Sequence, residues 1–271
     1  MHAFKKILIT AAIAVLSGGV LAYGEPPATG WTLHESYSNV KIYKKNNVNA
    51  YVQVVDIGAG AKIELVQVYG GTVNHYGKIL KAYKRDTVPT WWTNLGKPTS
   101  VVNGTFFFAN YSPAPLSYGI RSNYSLVGLG DDGTNTGIRR QMEFFTGSMN
   151  GATDYSYSAS RLQNGPARDI IVGDPVTQDR SKTSALGRTY LCTLYPQSPS
   201  RLLLVLSAKS YTQAQANSDL SAWKCNSGSG VMLDGSGSSQ LKTSKIEMMG
   251  NSHNGLPDNR TVPQVLVIKN N

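Results

Sequence analysis

The sequence predicts an α+β fold: a single domain that is mostly β, with mixed or antiparallel sheets and a few helices. Three observations predict this class. Short apolar or alternating runs recur along the chain and are separated by glycine, asparagine and proline, as in strands joined by turns. Only the segment 212–224 shows a clear helical pattern. No internal repeat, low-complexity tract or domain boundary interrupts this succession.

The strands follow one another from residue 40 to the end of the chain. The predicted strands are 40–44, 50–57, 62–68, 100–107, 142–145, 169–172, 189–194, 202–207, 231–233 and 263–268. Asn103-Gly104 interrupts the fourth of these runs, and 58–61 is a turn between the second and third. Residues 79–83 are predicted as one or two helical turns, and 109–137 and 251–259 as polar loops.

The predicted helix begins at a recognisable cap. Thr212 and Gln215 have the spacing of a capping box, in which the hydroxyl and the amide satisfy the first free N–H groups. Ala216, Leu220 and Trp223 then fall on one face at helical spacing. We therefore expect this face to pack against the sheet.

The N-terminus has the pattern of an export signal. A basic start is followed by a short apolar stretch and a Val-x-Ala end, which predicts a Sec-type signal peptide over 1–22, cleaved after Ala22. The apolar stretch is short for a membrane span, and no other span is predicted. Residues 23–38 are interpreted as a linker and 39–271 as the folded domain. The mature protein is expected to be secreted or periplasmic.

The charge pattern argues against a nucleic-acid partner. The net charge of +10 falls to +8 on cleavage, because Lys5 and Lys6 leave while every acidic residue stays. The basic residues are scattered and form no long run, a pattern that allows weak attraction to anionic polymers or envelope surfaces. No feature predicts an oligomeric state.

Two cysteines remain in the exported chain, Cys192 and Cys225. An oxidising compartment makes a disulfide between them the default expectation. Such a bridge would tie a strand to the end of the predicted helix, and loop entropy gives it a stabilising contribution of roughly 3–4 kcal/mol.

The segment that begins at Asp234 is the strongest candidate for a site. The buried strand 231–233 ends in this single carboxylate, which is followed by Gly235-Ser236-Gly237-Ser238-Ser239. Gly235 and Gly237 can adopt positive φ, and the serines add hydroxyls beside a run of backbone N–H groups. A carboxylate beside several donors suits an oxygen-rich ligand such as a sugar or a phosphate. The ordinary structural explanation is a strand followed by a flexible loop.

Several motifs, taken in order, resemble the phosphodiester glycosidase family. Asn103-Gly104-Thr105-Phe106-Phe107 is similar to its Asn-Gly-Gly-Phe-Phe signature, and the segment from Leu233 to Ser239 to its Leu-Asp-Gly-Gly-Gly-Ser signature. Shorter matches lie at 164–166, 187–189 and 260–263, so the resemblance covers about 40–269. Thr105 and Ser236 depart from the pattern, since each adds a side chain where the family has glycine.

The resemblance implies a sugar–phosphate hydrolase and assigns roles to the matching residues. Asp234 becomes the catalytic carboxylate. Outside the matching motifs, His253 in the polar loop is a candidate proton donor, although a lone loop histidine is more often plain surface. The implied substrate-binding residues are Asn103, Gly104, Arg188, Gly235, Ser236, Ser238 and Arg260. The arginines would hold phosphate oxygens. Hydrolysis with two carboxylates needs a second acid, and the sequence leaves four candidates open: Asp131, Asp132, Asp174 and Glu143.

Other motifs are absent or rejected. Residues 128–133 match G-x-G-x-x-G by letter, but no helix is predicted after them, so no dinucleotide site is expected. The sequence contains no G-x-S-x-G, EF-hand or H-E-x-x-H motif, and neither a cofactor nor a metal is predicted. The favoured function is an exported hydrolase of a sugar–phosphate diester or related glycosidic bond in an envelope glycan or exopolysaccharide. The alternatives are a non-catalytic binding protein for an anionic glycan and a component of a surface assembly.

Overall fold

The computed structural model describes residues 24–130, 138–178, 183–194, 199–225 and 230–270. The predicted signal peptide and two of the candidate acids, Asp131 and Asp132, lie outside these ranges. Within them the chain is mostly β, which confirms the predicted fold class. The strands are β1 Trp31–Ser36, β2 Val40–Lys45, β3 Ala50–Asp56, β4 Lys62–Gln67, β5 Tyr69–His75, β6 Lys78–Tyr83, β7 Ser100–Asn103, β8 Ala114–Pro115, β9 Ile120–Ser122, β10 Ser125–Gly128, β11 Arg140–Phe145, β12 Gly151–Ser156, β13 Asp169–Pro175, β14 Leu186–Thr193, β15 Leu202–Tyr211, β16 Val231–Met232, β17 Gln240–Lys242, β18 Glu247–Met249 and β19 Gln264–Lys269.

In the described ranges the strands form three sheets, and their pairings are antiparallel. The large sheet has the order β1-β2-β3-β15-β14-β16-β13-β11-β12, with β9 and β10 attached to β13. The second sheet has the order β18-β17-β7-β19-β4, and the third is β5-β6-β8. The short strand β16 thus lies in the middle of the large sheet, between β14 and β13.

The two larger sheets pack face to face. Val205, Leu191 and Val231 of the large sheet share one apolar cluster with Val102 and Leu266 of the second sheet. Alternation along the strands sends the other residues to the outer faces, because successive side chains in a strand point to opposite sides.

Helices cover these outer faces. The helices are α1 Val88–Asn94, α2 Ala159–Asn164 and α3 Gln213–Ala222. α1 packs Val88 and Trp91 on the second sheet, while α2 and α3 cover different parts of the large sheet. None of the helices in the described parts of the chain is long and apolar enough to cross a membrane.

The predicted helix 212–224 is confirmed as α3. Thr212 caps its N-terminus, and the reciprocal bonds of Thr212 and Gln215 complete the capping box. Ala216, Leu220 and Trp223 are buried against the sheet, as their spacing predicts. Cys192 on β14 and Cys225 just beyond α3 form the predicted disulfide, with their Cα atoms 6.0 Å apart.

Several segments differ from the sequence prediction. The predicted loop 109–137 contains β8, β9 and β10, and the predicted strand 100–107 ends at Asn103 as β7. Trp31–Ser36, within the predicted linker, forms β1 and pairs with β2, so the sheet begins before residue 39. The helical turns predicted for 79–83 are wrong: Lys78–Tyr83 is β6, which pairs with β5 and β8. The apolar residues in this short run fit both the helical and the strand periodicity. Pairing with the neighbouring strands makes the segment a β-strand.

Candidate functional site

The candidate site begins where β16 ends. The N–H of Leu233 donates to the Thr189 carbonyl (2.9 Å), and the N–H of Asp234 donates to the Gly104 carbonyl (3.3 Å). The chain therefore leaves the large sheet at Asp234 and contacts the end of β7 in the second sheet. Asp234 is partly exposed, and its Oδ1 accepts a hydrogen bond from the Gly235 N–H (2.9 Å).

Asn103 fixes the main chain at this junction and is fully buried. Its Nδ2 donates to the Asp234 carbonyl (2.8 Å). Its Oδ1 accepts from the Thr189 hydroxyl (2.7 Å) and from the Gln240 N–H (3.2 Å). Protein groups thus engage both ends of the amide, and these hydrogen bonds hold the main chain at Asp234 in place.

The backbone after Asn103 is equally constrained. A Cβ at Gly104 would lie 1.6 Å from the Gln264 Oε1, so a side chain is excluded at this position. Thr105 is buried, and its hydroxyl donates to the Val172 carbonyl. The first departure from the family pattern is thus accommodated by a hydrogen bond to the large sheet.

The turn after Asp234 is tight, and Ser236–Ser238 form one 3₁₀ turn. Positive φ falls on Ser236 (+58°), whereas Gly235 has φ −109°. The expectation that Gly235 and Gly237 take this conformation is therefore wrong. Gly237 is required for another reason: its Cβ would lie 2.3 Å from the Asp258 Oδ2. The hydroxyls of Ser236 and Ser238 are buried without a hydrogen-bond partner in the described structure.

Two arginines, Arg85 and Arg260, interact electrostatically with each other, and Arg85 also interacts with Asp234. Burial and the like charge of Arg260 lower the pKa of Arg85, and the carboxylate of Asp234 opposes this shift. Arg85 donates to the carbonyls of Ala109 (2.6 Å), Tyr111 (3.0 Å) and Thr261 (3.2 Å). It lies between β6 and α1.

The sequence prediction assigned no role to Arg85, although this residue follows a strand, as Asp234 does. The mistaken helical prediction for 79–83 hid this signal.

Asp258 joins the same group of charges. Its Oδ2 accepts from the Arg260 Nη2 at 3.2 Å, and its side chain is 38% exposed. Its carboxylate also packs directly against Gly237, as the excluded Cβ shows. Asp258 thus brings a second, accessible carboxylate to the turn that follows Asp234. Sequence reasoning placed it in a polar loop and gave it no role.

Arg188 is buried, so it differs from the exposed phosphate ligand that the resemblance implies. Its Nε donates to the Tyr211 carbonyl (3.2 Å) and its Nη2 to the Ser184 carbonyl (3.3 Å). β14 and β16 pair at Tyr190 and Met232, so continuing the register places Arg188 beside Asp234.

His253 is exposed in a turn, and its loop reaches the site only at its base. There the N–H of Gly187 donates to the Asn251 carbonyl (2.9 Å), and the N–H of Gly250 donates to the Ser239 carbonyl (2.7 Å). The structure therefore brings the base of this loop next to the turn after Asp234.

The described second-acid candidates occupy structural positions. Glu143 is fully buried and is bound by Arg161 through Nε (2.7 Å) and Nη2 (2.6 Å). Asp174 is 2% exposed and accepts from the Tyr118 hydroxyl at 2.7 Å. Within the described ranges, no three metal-binding side chains come close enough together to share an ion.

Comparison with known proteins gives a likeness of fold. No protein-family model matches the sequence, and no curated protein is similar to it in sequence. The catalytic domain of zebrafish N-acetylglucosamine-1-phosphodiester alpha-N-acetylglucosaminidase, auto-inhibited by its pro-peptide, matches with a TM-score of 0.54. The two share a fold. Their sequences are 13% identical, and the match covers 89% of this chain and 88% of that domain.

A hypothetical protein from Synechocystis is similar in the same way. The TM-score is 0.54 at 9% identity, and the match covers 89% of this chain but 64% of the Synechocystis chain. The fold of the present chain therefore spans less than two thirds of that protein.

Proposed function

We propose that this chain is an exported hydrolase that cleaves a sugar–phosphate diester or a related glycosidic bond in an envelope glycan or exopolysaccharide. One observation carries the proposal. A partly exposed carboxylate, Asp234, lies just after a strand end within electrostatic range of the Arg85 guanidinium, and Arg85 lies in turn within electrostatic range of Arg260. A carboxylate beside one cation, with a second cation next to the first, matches a substrate in which a sugar is joined to a phosphate.

The cations supply the phosphate subsite in this proposal. A guanidinium has five N–H donors, and main-chain carbonyls engage three of those of Arg85. In the described structure, two N–H groups of Arg85 remain for phosphate oxygens. Arg260, 32% exposed, provides a second fork next to it. Hydrogen bonds from these groups would stabilise the departing phosphate.

The carboxylates supply the other half of the chemistry. Asp234 activates water or stabilises positive charge that develops on the sugar. Asp258 is the better-placed second carboxylate, because it is accessible and packs on the same turn. The hydroxyls of Ser236 and Ser238 are buried in the turn, so they donate to sugar or phosphate oxygens only if the turn opens. Arg188 acts indirectly, because it lies on β14, the strand beside the segment that leads to Asp234. His253 donates a proton only if its loop folds inward.

Two further features support this proposal. The predicted signal peptide and the disulfide fit an exported protein, whose catalytic domain includes β1 and therefore begins before the predicted boundary at residue 39. The fold likeness is to a protein whose name describes cleavage of a sugar phosphodiester.

The alternative is a non-catalytic protein that binds an anionic glycan, alone or within a surface assembly. Ser236 favours it, since a side chain at positive φ stands where the similar family has glycine. In that case the same charges hold a ligand without breaking a bond.

Turnover of sugar-1-phosphodiesters and of isolated cell-wall glycans by the purified protein tests the proposal, with Asp234→Asn as the informative variant. Asp56→Asn is the matched control, because Asp56 also ends a strand and its Oδ1 accepts from a turn N–H, that of Ala59 at 2.7 Å. An asparagine side chain at either position can still accept the hydrogen bond from the turn N–H. We expect Asp234→Asn to lower turnover about 10²–10⁴-fold with an unchanged melting curve.

The control is expected to retain turnover. Equal turnover in the two folded variants would remove Asp234 from the chemistry. Tight binding by the wild-type protein without any turnover, lost on Arg85→Gln but retained on Arg201→Gln, would instead support the binding protein.

A further inference from the structure

Gln240 is a buried polar residue at the start of β17, and its side-chain amide is engaged at both ends. Its Nε2 donates to two main-chain carbonyls, that of Arg260 at 2.6 Å and that of Gly237 at 3.2 Å. Its Oε1 accepts a hydrogen bond from the Val88 N–H at 3.2 Å. Because Gln240 is only 1% exposed, these partners, and not solvent, explain a polar side chain at this position.

Two of the partners belong to segments that carry charges of the candidate site. The Arg260 carbonyl is part of the main chain from which that guanidinium extends. Gly237 lies in the turn after Asp234, directly against the side chain of Asp258. A single Nε2 therefore holds the backbone of one arginine and the backbone of the turn that follows the proposed catalytic carboxylate.

The third partner links the same amide to the other arginine. Val88 begins α1 and follows Arg85 by three residues. A β-bridge between Asp86 and Val262 already pairs this segment with the one that carries Arg260. The bond from the Val88 N–H to the buried amide adds a second tie, so the backbones that carry the two guanidinium groups are held at two points.

The residue type fits this task. Glutamine offers two donors and an acceptor from one planar group, which matches two carbonyls and one N–H. Glutamate has the same shape but cannot donate to the carbonyls when it is ionised. The main-chain N–H of Gln240 donates to the Asn103 Oδ1 (3.2 Å), and β17 pairs with β7 in the second sheet. The amide is thus anchored in a sheet, while its partners belong to segments outside that sheet.

We propose that Gln240 is a positioning residue that sets the spacing between the phosphate-binding arginines and the carboxylates of the candidate site. This role rests on the proposed function, which assigns those charges to a sugar–phosphate substrate. Gln240 does not touch the substrate and acts through the main chain of its three partners. A displacement of about 1 Å at reacting groups costs roughly a hundredfold in rate, so releasing these segments alters the chemistry in a chain that stays folded.

Gln240→Met tests this role, because methionine has a similar shape and cannot donate to the two carbonyls. Gln213→Met is the matched control. Gln213 is 4% exposed, and its Nε2 also donates to two main-chain carbonyls, those of Val176 (2.7 Å) and Gln178 (2.6 Å). The segment of Val176 and Gln178 carries none of the charges of the site. Both variants should lower the melting temperature by about 5–10 °C, since each strands two buried carbonyls.

Binding of inorganic phosphate, measured by calorimetry where both variants are folded, and turnover of a sugar-1-phosphodiester separate the two variants. We expect Gln240→Met to bind phosphate at least tenfold more weakly than the wild type, with a raised KM and a kcat lowered about 10–100-fold. Gln213→Met should stay within twofold of the wild type in all three quantities. Gln240→His, in which one ring N–H can still donate to a carbonyl, should lie between the wild type and Gln240→Met.

The possible failures are distinguishable. If Gln240→Met binds phosphate and turns over the substrate as Gln213→Met does, Gln240 only stabilises the fold, and the proposed function stands without it. If Gln240→Met does not fold, Gln240→His makes the same comparison, and a phosphate affinity equal to that of the wild type would overturn the positioning role. A wild-type protein that neither binds phosphate nor cleaves the phosphodiester would overturn both the positioning role and the proposed function.

Discussion

Replacing Asn103 by alanine tests whether this residue supports the fold or faces a ligand. The buried amide makes hydrogen bonds to the Asp234 carbonyl, the Thr189 hydroxyl and the Gln240 N–H. After truncation, the Asp234 carbonyl and the Thr189 hydroxyl keep contacts with the Ser239 hydroxyl at 3.3 and 3.1 Å. The Gln240 N–H loses its side-chain acceptor.

The expected loss of stability follows from these three changed hydrogen bonds. A stranded buried donor costs about 1–3 kcal/mol, and two weakened hydrogen bonds cost about 1 kcal/mol each. We therefore expect Asn103→Ala to lower the free energy of unfolding by about 3–5 kcal/mol. For a domain of this size the melting temperature should fall by about 10 °C. Activity should be lost as well, because Asp234 is no longer held in place.

Urea unfolding followed by tryptophan fluorescence measures the change, provided that the slope against urea concentration stays constant. Asn110→Ala is the control, since Asn110 is exposed on a loop and should remain within about 0.5 kcal/mol of the wild type. A stability of Asn103→Ala equal to that of the control, together with weakened ligand binding, would refute the positioning role. The amide would then face the ligand instead.

Three further predictions concern the rest of the structure. Gly237→Ala should cost about 1–3 kcal/mol in a denaturant titration, because its Cβ would lie 2.3 Å from a carboxylate oxygen. Gly128→Ala, whose Cβ would meet its nearest atom at 3.9 Å, should be near neutral, and equal effects would contradict the argument. Replacing Cys192 and Cys225 together by alanine should lower the stability by about 4 kcal/mol, measured against the oxidised wild type; a change below about 1 kcal/mol would count against a structural bridge. Burial raises the pKa of Tyr190 to about 12, so the folded protein keeps a proton that the unfolded chain loses near pH 10, and stability should fall as the pH rises between these values. Tyr190→Phe, which removes a buried hydroxyl without a partner, should be neutral or stabilising at pH 7 and should reduce this alkaline loss in melting curves; an unchanged slope would refute the assignment.

Much of the secondary structure was predictable, because the signals were local. Alternation located β2, β3 and β4, and the capping box at Thr212 marked the start of α3 within one residue. The disulfide followed from there being two cysteines in a chain predicted to be exported. The failures occurred where the local pattern was weak. β1 pairs as an edge strand in the predicted linker, and β6 is too short for its period to be read.

The site was predicted in part. The strand that ends at Asp234 was found from an apolar run followed by glycines and serines, and Arg260 was found from a motif. The resemblance assigned the second cation to Arg188, which is buried in this structure; Arg85, to which the sequence prediction assigned no role, interacts with Arg260 and Asp234. Motif matching detects residue types in order, but it does not show which of two arginines has its guanidinium buried.

The sequence by itself determined the strands, the capped helix, the cysteine pair and the position of Asp234 at a strand end, since each depends on residues close together in the chain. Only the tertiary structure decided what surrounds Asp234. Strand order brings Asn103, Arg85 and Asp258 to it from distant segments, and close packing leaves no room for a side chain at Gly104. Such contacts depend on how the sheets stack and on their register, and spacing along the chain carries little information about either.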